Sequence, residues 1–267
     1  MNQPTLTVIM PALNEENNIK EAIESTLSAF DKLKIDGEVL VIDDGSTDKT
    51  GEIAEKFTNE NTFVKVIHHE KPLGIGYSFW EAVRHSNKDV VVMFPGDNEN
   101  DPEDALTYFY LMNYVDIIVP FIHNNEVRNR LRRAISALFS FIINMSFMIN
   151  LNYTNGTVFY RRSILNTIEL RSFGFFYQAE LLIKLIRNGY LFAEVPNFLS
   201  KRNNGKSTAL SFKSFIKVMS GYLNLFYDIH IRRSETKRKD YRNICRDSVT
   251  YIRRNDFDER VKELVGV

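Results

Sequence analysis

Short apolar runs and amphipathic stretches alternate along the first half of the chain. The apolar runs predict β-strands at residues 6–10, 38–42, 63–67, 89–94 and 115–119. Apolar residues at helical spacing between them predict α-helices at residues 15–33, 47–58, 77–86 and 103–113. The run Glu38-Val39-Leu40-Val41-Ile42 shows little alternation, as expected for a strand covered on both faces. This order of elements predicts an α/β fold with a doubly wound, mostly parallel sheet.

Polar or glycine-containing clusters follow the first four predicted strands. They are Pro11–Glu15, Asp43–Ser46, Gly74–Gly76 and Asp97–Glu99. Asn14 is the predicted N-cap of the first helix, and Ser46 or Thr47 is that of the second. Ligands on a doubly wound sheet bind beyond the carboxyl ends of its strands, so the clusters predict one shared binding site.

The residue types in these clusters suit an anionic ligand held through a metal ion. Asp97 and Glu99 can both reach one hard divalent cation, with substrate phosphates completing its coordination, although a solvated acidic loop is the alternative. Asp43 and Asp44 can accept hydrogen bonds from ribose hydroxyls and a base N–H. The turn at Gly74–Gly76 lacks the third glycine of a dinucleotide-binding fingerprint, which disfavours a Rossmann oxidoreductase.

The net charge of zero conceals two halves of opposite sign. Residues 1–127 hold 9 Lys and Arg against 23 Asp and Glu, whereas residues 128–267 hold 25 against 11. A divalent cation would suit the acidic half, and phosphate groups or an anionic membrane surface would suit the basic half. Two solvated faces that attract each other are the alternative. The basic run lacks interleaved aromatic residues, so no nucleic-acid partner is expected.

Cysteine and histidine add little to the predicted chemistry. Cys245 is the single cysteine and cannot form an internal disulfide, and the N-terminal residues lack the pattern of a signal peptide. Both observations favour a reducing, cytoplasmic compartment. The pair His68-His69 has no further ligand at metal spacing, so an ordinary polar turn is expected there.

An uncharged stretch opens the basic half, from Ala134 to Leu151, and 13 of its 18 residues are apolar. It follows the arginines Arg128, Arg130, Arg132 and Arg133. A narrow polar stripe at helical spacing is formed by Ser136, Ser140 and Asn144. Because a membrane span needs about 20 apolar residues, a helix lying in the membrane interface beside anionic headgroups is favoured. A helix buried in the core or in a homodimer is the alternative.

Residues 209–231 predict a second helix with one apolar face, followed by a basic tail at residues 232–262. The apolar positions are Phe212, Phe215, Ile216, Met219, Leu223 and Phe226, with Lys213 and Lys217 opposite. The tail is expected to be a solvated helix. The predicted organisation is a domain at residues 1–208, with halves at 1–127 and 128–208, and a helical, basic extension at 209–267.

The order of the clusters is more specific than any one of them. Pro11-Ala12-Leu13-Asn14-Glu15, Asp43-Asp44-Gly45-Ser46, the glycine turn and Asp97-Asn98-Glu99 together resemble glycosyltransferase family 2, which has the GT-A fold. The usual Asp-x-Asp of that family is Asp-Asn-Glu here. The longer carboxylate of Glu99 still suits a divalent cation.

Motifs of the second half resemble the polyprenyl-phosphate branch of that family, typified by dolichyl-phosphate mannose synthase. They are Thr154-Asn155-Gly156, Phe176-Tyr177-Gln178-Ala179-Glu180, Gly189-Tyr190, Glu194-Val195-Pro196, Arg202 and Gly205-Lys206-Ser207. In that branch Phe-Arg usually follows the Thr-Ser-Gly turn, whereas Thr157-Val158 stands here. One phosphate-contacting arginine of the branch is therefore absent at that place.

The resemblance implies transfer of a sugar from a nucleotide-diphosphate sugar, with inversion and with Mg²⁺ or Mn²⁺. The residues it assigns to the nucleotide are Pro11, Ala12, Asn14, Glu15, Asp43, Asp44, Gly74 and Asp97. It assigns Asp97 and Glu99 to the metal ion. Residues assigned to the acceptor or its phosphate are Arg130, Arg133, Gln178, Arg202 and Ser207. The catalytic set it implies is Asp97, Glu99, Arg202 and Glu180.

Two acceptor classes stay open. A polyprenyl phosphate is favoured, since its oxygen is ionised at neutral pH and needs little general-base help. A saccharide hydroxyl is the alternative, with Glu180 or Asp97 as the candidate base. A noncatalytic module that binds a nucleotide sugar or an anionic lipid is an alternative of another class. With a lipid acceptor, the protein is expected to lie at the inner face of the membrane, and a homodimer stays open.

Overall fold

A computed structural model describes residues 3–124, 130–154, 156–197, 212–232 and 244–265 of the 267-residue chain. Inside helices, the side chains of residues 131, 132, 212–215 and 265 are not described. The predicted site residues Arg202 and Ser207 lie outside the described residues.

Within the described ranges, seven strands form one sheet in the order β3-β2-β1-β4-β6-β5-β7. They are β1 (Leu6–Ala12), β2 (Gly37–Asp43), β3 (Val64–His68), β4 (Val90–Met93), β5 (Ile117–Ile122), β6 (Phe159–Arg161) and β7 (Phe192–Asn197). Only β6 runs antiparallel to its two neighbours, so the other described strands end at one edge of the sheet. The predicted fold class, α/β with a mostly parallel sheet, is confirmed, and β6 and β7 lie outside the five strands that the pattern predicts.

Helices cover both faces of this sheet and bury two apolar clusters against it. They are α1 (Ile19–Leu33), α2 (Thr50–Glu60), α3 (Ile75–His85), α4 (Pro102–Leu106), α5 (Arg130–Phe147), α6 (Arg162–Leu165), α7 (Tyr177–Arg187), α8 (Phe212–Phe226) and α9 (Val249–Val265). A 3-10 helix spans Phe109–Asn113, and a π-helix at Tyr227–Ile231 continues α8.

The first two helices begin later than the sequence predicts, and the predicted caps are wrong. Asn14 has a left-handed φ of 56° and does not cap α1, which begins at Ile19. The Ser46 hydroxyl accepts the Asn14 N–H at 3.0 Å instead of capping α2. Asp48 accepts the Thr50 N–H at 2.9 Å where α2 begins. Both predicted caps therefore join two loops to each other, which local sequence could not reveal.

The helix predicted at 103–113 is also wrong, because the chain forms α4 and then the 3-10 helix. The Asp101 carboxylate caps α4 by accepting the N–H groups of Glu103 and Asp104. Phe109 and Met112 are both buried, and the three-residue repeat of a 3-10 helix places them on one face. The following strand lies at residues 117–122 and not at 115–119.

The helix predicted at residues 134–151 is α5, which begins at Arg130 and ends at Phe147, before Met148 with its φ of 53°. One face is core, since Ile143 and Phe147 are fully buried. The other face is apolar and exposed, through Ile135, Leu138, Phe141, Ile142 and Met145. The core interpretation is thus confirmed for one face, and the membrane interface stays a prediction for the exposed face. Among the described residues, no helix is long and apolar enough to cross a membrane.

Helix α8 packs against α5 and also leaves apolar side chains exposed. The ring of Tyr222 lies 5.8 Å from that of Phe147, and its hydroxyl hydrogen-bonds the Ser146 hydroxyl at 2.8 Å. Exposed on α8 are Ile216, Met219 and Leu223. The two neighbouring helices therefore both carry unburied apolar residues.

The last helix is anchored to the sheet by a buried carboxylate. Asp116, which is fully buried just before β5, accepts the N–H groups of Val249 and Thr250 at 2.8 and 2.9 Å. Its carboxylate also accepts a hydrogen bond from Arg161 Nε at 3.2 Å. Beyond this anchor most side chains of α9 are exposed or half-buried, as predicted for a solvated helix.

Candidate active site

Three loops meet at the carboxyl ends of β1, β2 and β4. The Asp44 N–H donates to the Ala12 carbonyl at 2.8 Å, and the Gly96 N–H donates to the Pro11 carbonyl at 3.0 Å. The loop after β1 therefore contacts both the Asp43-Asp44 pair and the segment that leads into Asp97. This confirms the prediction that these clusters meet at one sheet edge.

Side chains of the loop after β1 fix its shape. The Asn14 side-chain oxygen accepts the Thr47 N–H at 2.8 Å, and the Glu15 N–H donates to the Thr50 hydroxyl at 2.7 Å. The Glu15 carboxylate accepts the Asn18 side-chain amide at 2.7 Å. Asn14 and Glu15 thus fix the conformation of the loop after β1 through contacts with the loop after β2 and with Asn18.

The two neighbouring aspartates point to opposite faces of the sheet. Asp43 Oδ1 accepts the Ser46 N–H at 3.1 Å, and the missing Cβ of Gly51 would lie 2.6 Å from Asp43 Oδ2. Asp44 accepts the N–H groups of Leu73 and Gly74 at 2.8 and 2.9 Å. Asp44 therefore holds the glycine turn, where Gly74 has a φ of 98° that favours glycine.

The histidine pair is more than the polar turn that the sequence predicts. His68 Nδ1 lies 2.9 Å from Asp43 Oδ2, and His69 Nδ1 lies 2.7 Å from Asp44 Oδ1. The sequence contains a signal for these contacts, because two consecutive aspartates and two consecutive histidines end neighbouring parallel strands. Asp43 lies opposite His68 in the register of β2 and β3. Asp43 therefore pairs with His68 on one face of the sheet, and Asp44 pairs with His69 on the other. For His68, hydrogen bonds to the carboxylates of Asp43 and Glu55 raise the pKa of the ring against the opposing effect of burial.

The predicted metal ligands share one tight loop after β4. The Glu99 N–H donates to Asp97 Oδ1 at 3.1 Å, and Asn98 between them has a left-handed φ of 54°. The donor set is two carboxylates, which suits a hard cation such as Mg²⁺ or Mn²⁺. The described residues contain no cluster of three or more His, Cys, Asp or Glu side chains suited to a metal. A cation here would therefore need further oxygens from water or from a phosphate ligand.

The second half of the predicted domain, residues 128–208, contacts the Asp97–Glu99 loop region directly. The Thr157 hydroxyl donates to the Asn100 side-chain oxygen at 3.0 Å. The side-chain amide of Gln178 donates to the Gly156 carbonyl, so Gln178 supports the turn that precedes Thr157. The predicted acceptor residue Gln178 thus lies behind this turn.

Glu180 lies in the protein interior. Its side chain is 2% exposed and lies 2.9 Å from Lys184 Nζ. Its carboxylate also accepts the N–H groups of Arg171 and Ser172 at 3.0 and 2.9 Å. This placement makes Glu180 a support for residues 171–172, and it does not favour the role of general base.

A cavity of about 190 Å³ lies between α5 and the end of β5. Its polar lining comes from Arg133, Ser136, Ser140, Asn152 and Tyr153. The polar stripe of the predicted helix therefore faces this cavity, except for Asn144, which bonds the backbone of Leu151. Arg133 lines the cavity, whereas Arg130 is exposed at the start of α5 and does not line it.

The family model for glycosyl transferase family 2 matches residues 7–169, more than half of the chain. The chain belongs to glycosyl transferase family 2. The dolichyl-phosphate hexose transferase of Haloferax volcanii is 32% identical over 204 residues, which are 72% of this chain and 81% of that protein. The undecaprenyl-phosphate 4-deoxy-4-formamido-L-arabinose transferase of Salmonella choleraesuis is 24% identical over 84% of this chain and 66% of that protein. Two further relatives are matched over only 27% and 23% of their own lengths.

Solved structures of similar fold support the GT-A assignment of this family 2 chain. The crystal structure of glucosyl-3-phosphoglycerate synthase from Mycobacterium tuberculosis with Mn²⁺, UDP and phosphoglyceric acid has a TM-score of 0.62. Its sequence is 21% identical, and the match covers 84% of this chain and 78% of that one. A second structure of that synthase, with Mg²⁺ and UDP, has a TM-score of 0.63 at 19% identity, covering 83% and 79%. The predicted GT-A fold is confirmed.

Proposed function

We propose that this family 2 protein transfers a sugar from a nucleotide-diphosphate sugar to a phosphate-bearing acceptor, a polyprenyl phosphate. The observation that carries the proposal is the position of two sites at one sheet edge. The carboxylate loops follow β2 and β4, and the cavity lined by Arg133 lies at the end of β5, which is parallel to them. The first site suits a metal-bound diphosphate, and the second suits an anion.

The donor would bind against the loops after β1, β2 and β4. The backbone of Pro11 and Ala12, the aspartates Asp43 and Asp44, and the turn at Gly74 would enclose the nucleoside. Asp97 and Glu99 would hold Mg²⁺ or Mn²⁺. When bound, such an ion neutralises charge that develops on the leaving diphosphate. The metal-bound and UDP-bound crystal structures of a protein of similar fold support this assignment.

The acceptor phosphate would bind in the cavity, where Arg133 provides a cation and Ser136 and Ser140 provide hydroxyl donors. An ionised phosphate oxygen forms the new bond to the anomeric carbon. The bond from that carbon to the diphosphate breaks, and the nucleoside diphosphate leaves on the opposite side, which inverts the anomeric configuration. Because this oxygen carries no proton, no general base is needed.

Two relatives support a lipid phosphate as the acceptor, since one is named for dolichyl phosphate and the other for undecaprenyl phosphate. A saccharide hydroxyl is the second acceptor class. It would need a base, and Asp97 fits that role better than Glu180, whose carboxylate is already bonded to two N–H groups and contacts Lys184. A noncatalytic binding module is disfavoured because both loop carboxylates, Asp97 and Glu99, are present.

A lipid acceptor requires contact with a membrane, and the α5–α8 surface is suited to it. We define this surface by its exposed apolar residues, Leu138, Phe141 and Met145 on α5 and Ile216, Met219 and Leu223 on α8. Lys217 on α8 and Arg130 on α5 are exposed and cationic, as attraction to anionic headgroups requires. We propose peripheral attachment at the cytoplasmic face of the membrane.

Labelled nucleotide sugars test the proposal. Purified protein is incubated with UDP- and GDP-sugars, Mg²⁺ or Mn²⁺, and undecaprenyl or dolichyl phosphate in detergent, with oligosaccharides in parallel. We expect label in the organic-extractable product only when the lipid phosphate is present. Label that appears only in a water-soluble saccharide would overturn the lipid acceptor, and donor binding without any turnover would support the binding module.

Two arginines of α5 provide a matched pair for the acceptor site. Arg133→Ala should raise the acceptor KM about 10- to 100-fold, as expected when one charge-assisted hydrogen bond is lost. Arg130→Ala removes the same charge three residues earlier, outside the cavity, and should change the KM for the acceptor little. Equal effects of the two variants would remove the cavity from the acceptor site.

A further inference from the structure

His68 is the last residue of β3 and His69 follows it, and each of these histidines bridges two carboxylates. His68 lies between Asp43 and Glu55, with both nitrogen–oxygen distances at 2.9 Å. His69 lies between Asp44 and Glu81, with Nδ1 at 2.7 Å from Asp44 Oδ1 and Nε2 hydrogen-bonded to Glu81. The two bridges lie on opposite faces of the sheet, because side chains alternate along β2 and β3.

His69 is the buried member of the pair. Its side chain is 5% exposed, against 44% for His68. The groups that face its ring are Asp44 from the loop after β2, and Glu81 and Tyr77 from α3, with the Tyr77 ring 5.6 Å away. An ionised carboxylate can only accept a hydrogen bond, so both ring nitrogens must donate when Asp44 and Glu81 are ionised. The geometry is therefore that of an imidazolium.

Three donors hold the Asp44 carboxylate. Two are the backbone N–H groups of Leu73 and Gly74, and the third is His69, which is the charged one among them. Asp44 Oδ1 accepts the Leu73 N–H and contacts the His69 ring, and Asp44 Oδ2 accepts the Gly74 N–H. Without the ring, Asp44 would face the Glu81 carboxylate with no cation between them, at a place where an anionic donor is expected to bind.

We propose that His69 is a positioning residue for the donor: as an imidazolium it orients the Asp44 carboxylate and offsets its charge and that of Glu81. The inference rests on the proposed role of Asp44 in nucleoside binding. Burial opposes protonation of the ring, but hydrogen bonds to Asp44 and Glu81 outweigh it and raise the pKa of His69. Donor affinity should therefore be highest at low and neutral pH and should fall as the ring loses its proton.

Calorimetry with UDP and with GDP, each with Mn²⁺, tests this inference between pH 6 and 9. His69→Gln keeps one N–H donor but no charge. It should lower the affinity for whichever nucleotide the wild type binds by about tenfold, as expected for the loss of a charge-assisted contact. It should also remove the pH dependence of that affinity. In turnover assays the donor KM should rise while kcat at saturating donor stays within about twofold.

Two further variants separate positioning from a purely structural role. His85→Gln changes an exposed histidine of α3 that bonds the backbone carbonyl of Glu81 and not its carboxylate, and it should retain wild-type affinity and pH dependence. Glu81→Gln leaves His69 on Asp44 but removes one carboxylate that favours its charge, so the fall in affinity should move to lower pH. This shift can be measured even if His69→Gln fails to fold.

The outcomes distinguish the inference from the proposed function. A wild type that binds neither UDP nor GDP with Mn²⁺ contradicts the donor site itself. A wild type that binds, with a folded His69→Gln variant of equal affinity at every pH, overturns the role of His69 alone. An unchanged pH profile in Glu81→Gln would also overturn it.

Discussion

The loops after β1, β2 and β4, where the donor is proposed to bind (the donor loops), differ from the α5–α8 surface in how their side chains are partnered. Around Asp43 and Asp44, each carboxylate is bonded within the protein, to backbone N–H groups and to a histidine. On α5, by contrast, Phe141 and Met145 are large apolar residues that the described protein leaves uncovered, at 62% and 68% exposure. A polar site can be preorganised by internal partners, whereas an apolar surface becomes buried only when an external partner covers it.

The same contrast divides α5 itself. Phe141 is exposed, whereas Phe147 is fully buried and packs its ring against those of Tyr222 and Phe226. The two phenylalanines lie six residues apart, which places them on different sides of a helix. The sequence pattern predicts that the whole stretch lies either in the membrane interface or in the core or a homodimer, but in the structure one face is core and the other is exposed.

The largest expected effect concerns the donor loops. Glu99→Gln should lower kcat/KM about 100-fold or more, because a divalent cation held by Glu99 and Asp97 would contribute several kcal/mol to charge stabilisation in the transition state. The thermal midpoint should stay near that of the wild type, since Glu99 lies in a half-buried loop. Initial rates with the labelled donor, at several Mn²⁺ concentrations, provide the measurement.

Glu103→Gln is the matched control for that variant. Glu103 lies four residues later, where it pairs with Lys32 at 2.6 Å on the exposed surface. Exposed pairs contribute only about 0–1 kcal/mol to stability, so this variant should retain both activity and fold. If Glu99→Gln retains activity as well, the carboxylate loop does not hold the metal.

The next effect sharpens the contrast within α5. Phe147→Ser should lower the free energy of unfolding by about 3–5 kcal/mol, because a buried ring is lost. Phe141→Ser should change it by about 0.5 kcal/mol or less, as is usual at the surface. Denaturant unfolding measures both, and equal losses would contradict the assignment of two faces.

Vesicle flotation then tests the exposed face. Phe141→Ser should reduce flotation with anionic vesicles, whereas Phe63→Ser, which removes an exposed ring next to β3, far along the chain from α5 and α8, should not. High salt should weaken the electrostatic part of the binding and leave the apolar part. Wild-type protein that fails to float with anionic vesicles at low salt would contradict membrane attachment, and a second protein copy would then be the candidate partner.

A smaller effect is expected at Arg202, whose assignment comes from the family resemblance. Arg202→Ala should lower kcat/KM by the equivalent of about 1.5–3 kcal/mol, through loss of a charge-assisted contact to the diphosphate. Lys201→Ala removes the neighbouring charge and serves as the control. An Arg202→Ala variant with unchanged kcat/KM would exclude this residue from the site.

Periodicity and motif order predict the sheet and the meeting of the donor loops, because buried strands and their polar ends are local features. They do not predict which side chains bond across loops. Asn14 and Ser46 are 32 residues apart, and their contact depends on the parallel register of β1 and β2. The role of Glu180 is missed for the same reason, since its bonds to residues 171 and 172 depend on how that segment folds back on α7.

The smallest expected effect is a dependence of stability on pH that originates in the donor loops. Hydrogen bonds to Asp43 and Glu55 raise the pKa of His68, whereas burial opposes the rise for His69 and its hydrogen bonds to Asp44 and Glu81 outweigh that effect. The folded protein therefore binds protons more tightly than the unfolded chain, in which the pKa of histidine is about 6.5. The resulting stabilisation is fully present below that value and is lost as pH rises through the raised pKa values. Urea unfolding midpoints at pH 6, 7, 8 and 9 should fall across this series for the wild type. The double variant with His68→Gln and His69→Gln should lose most of that dependence, whereas His85→Gln should keep it. A wild-type midpoint that rises with pH over this range would show that the two bridges are not held by imidazolium rings.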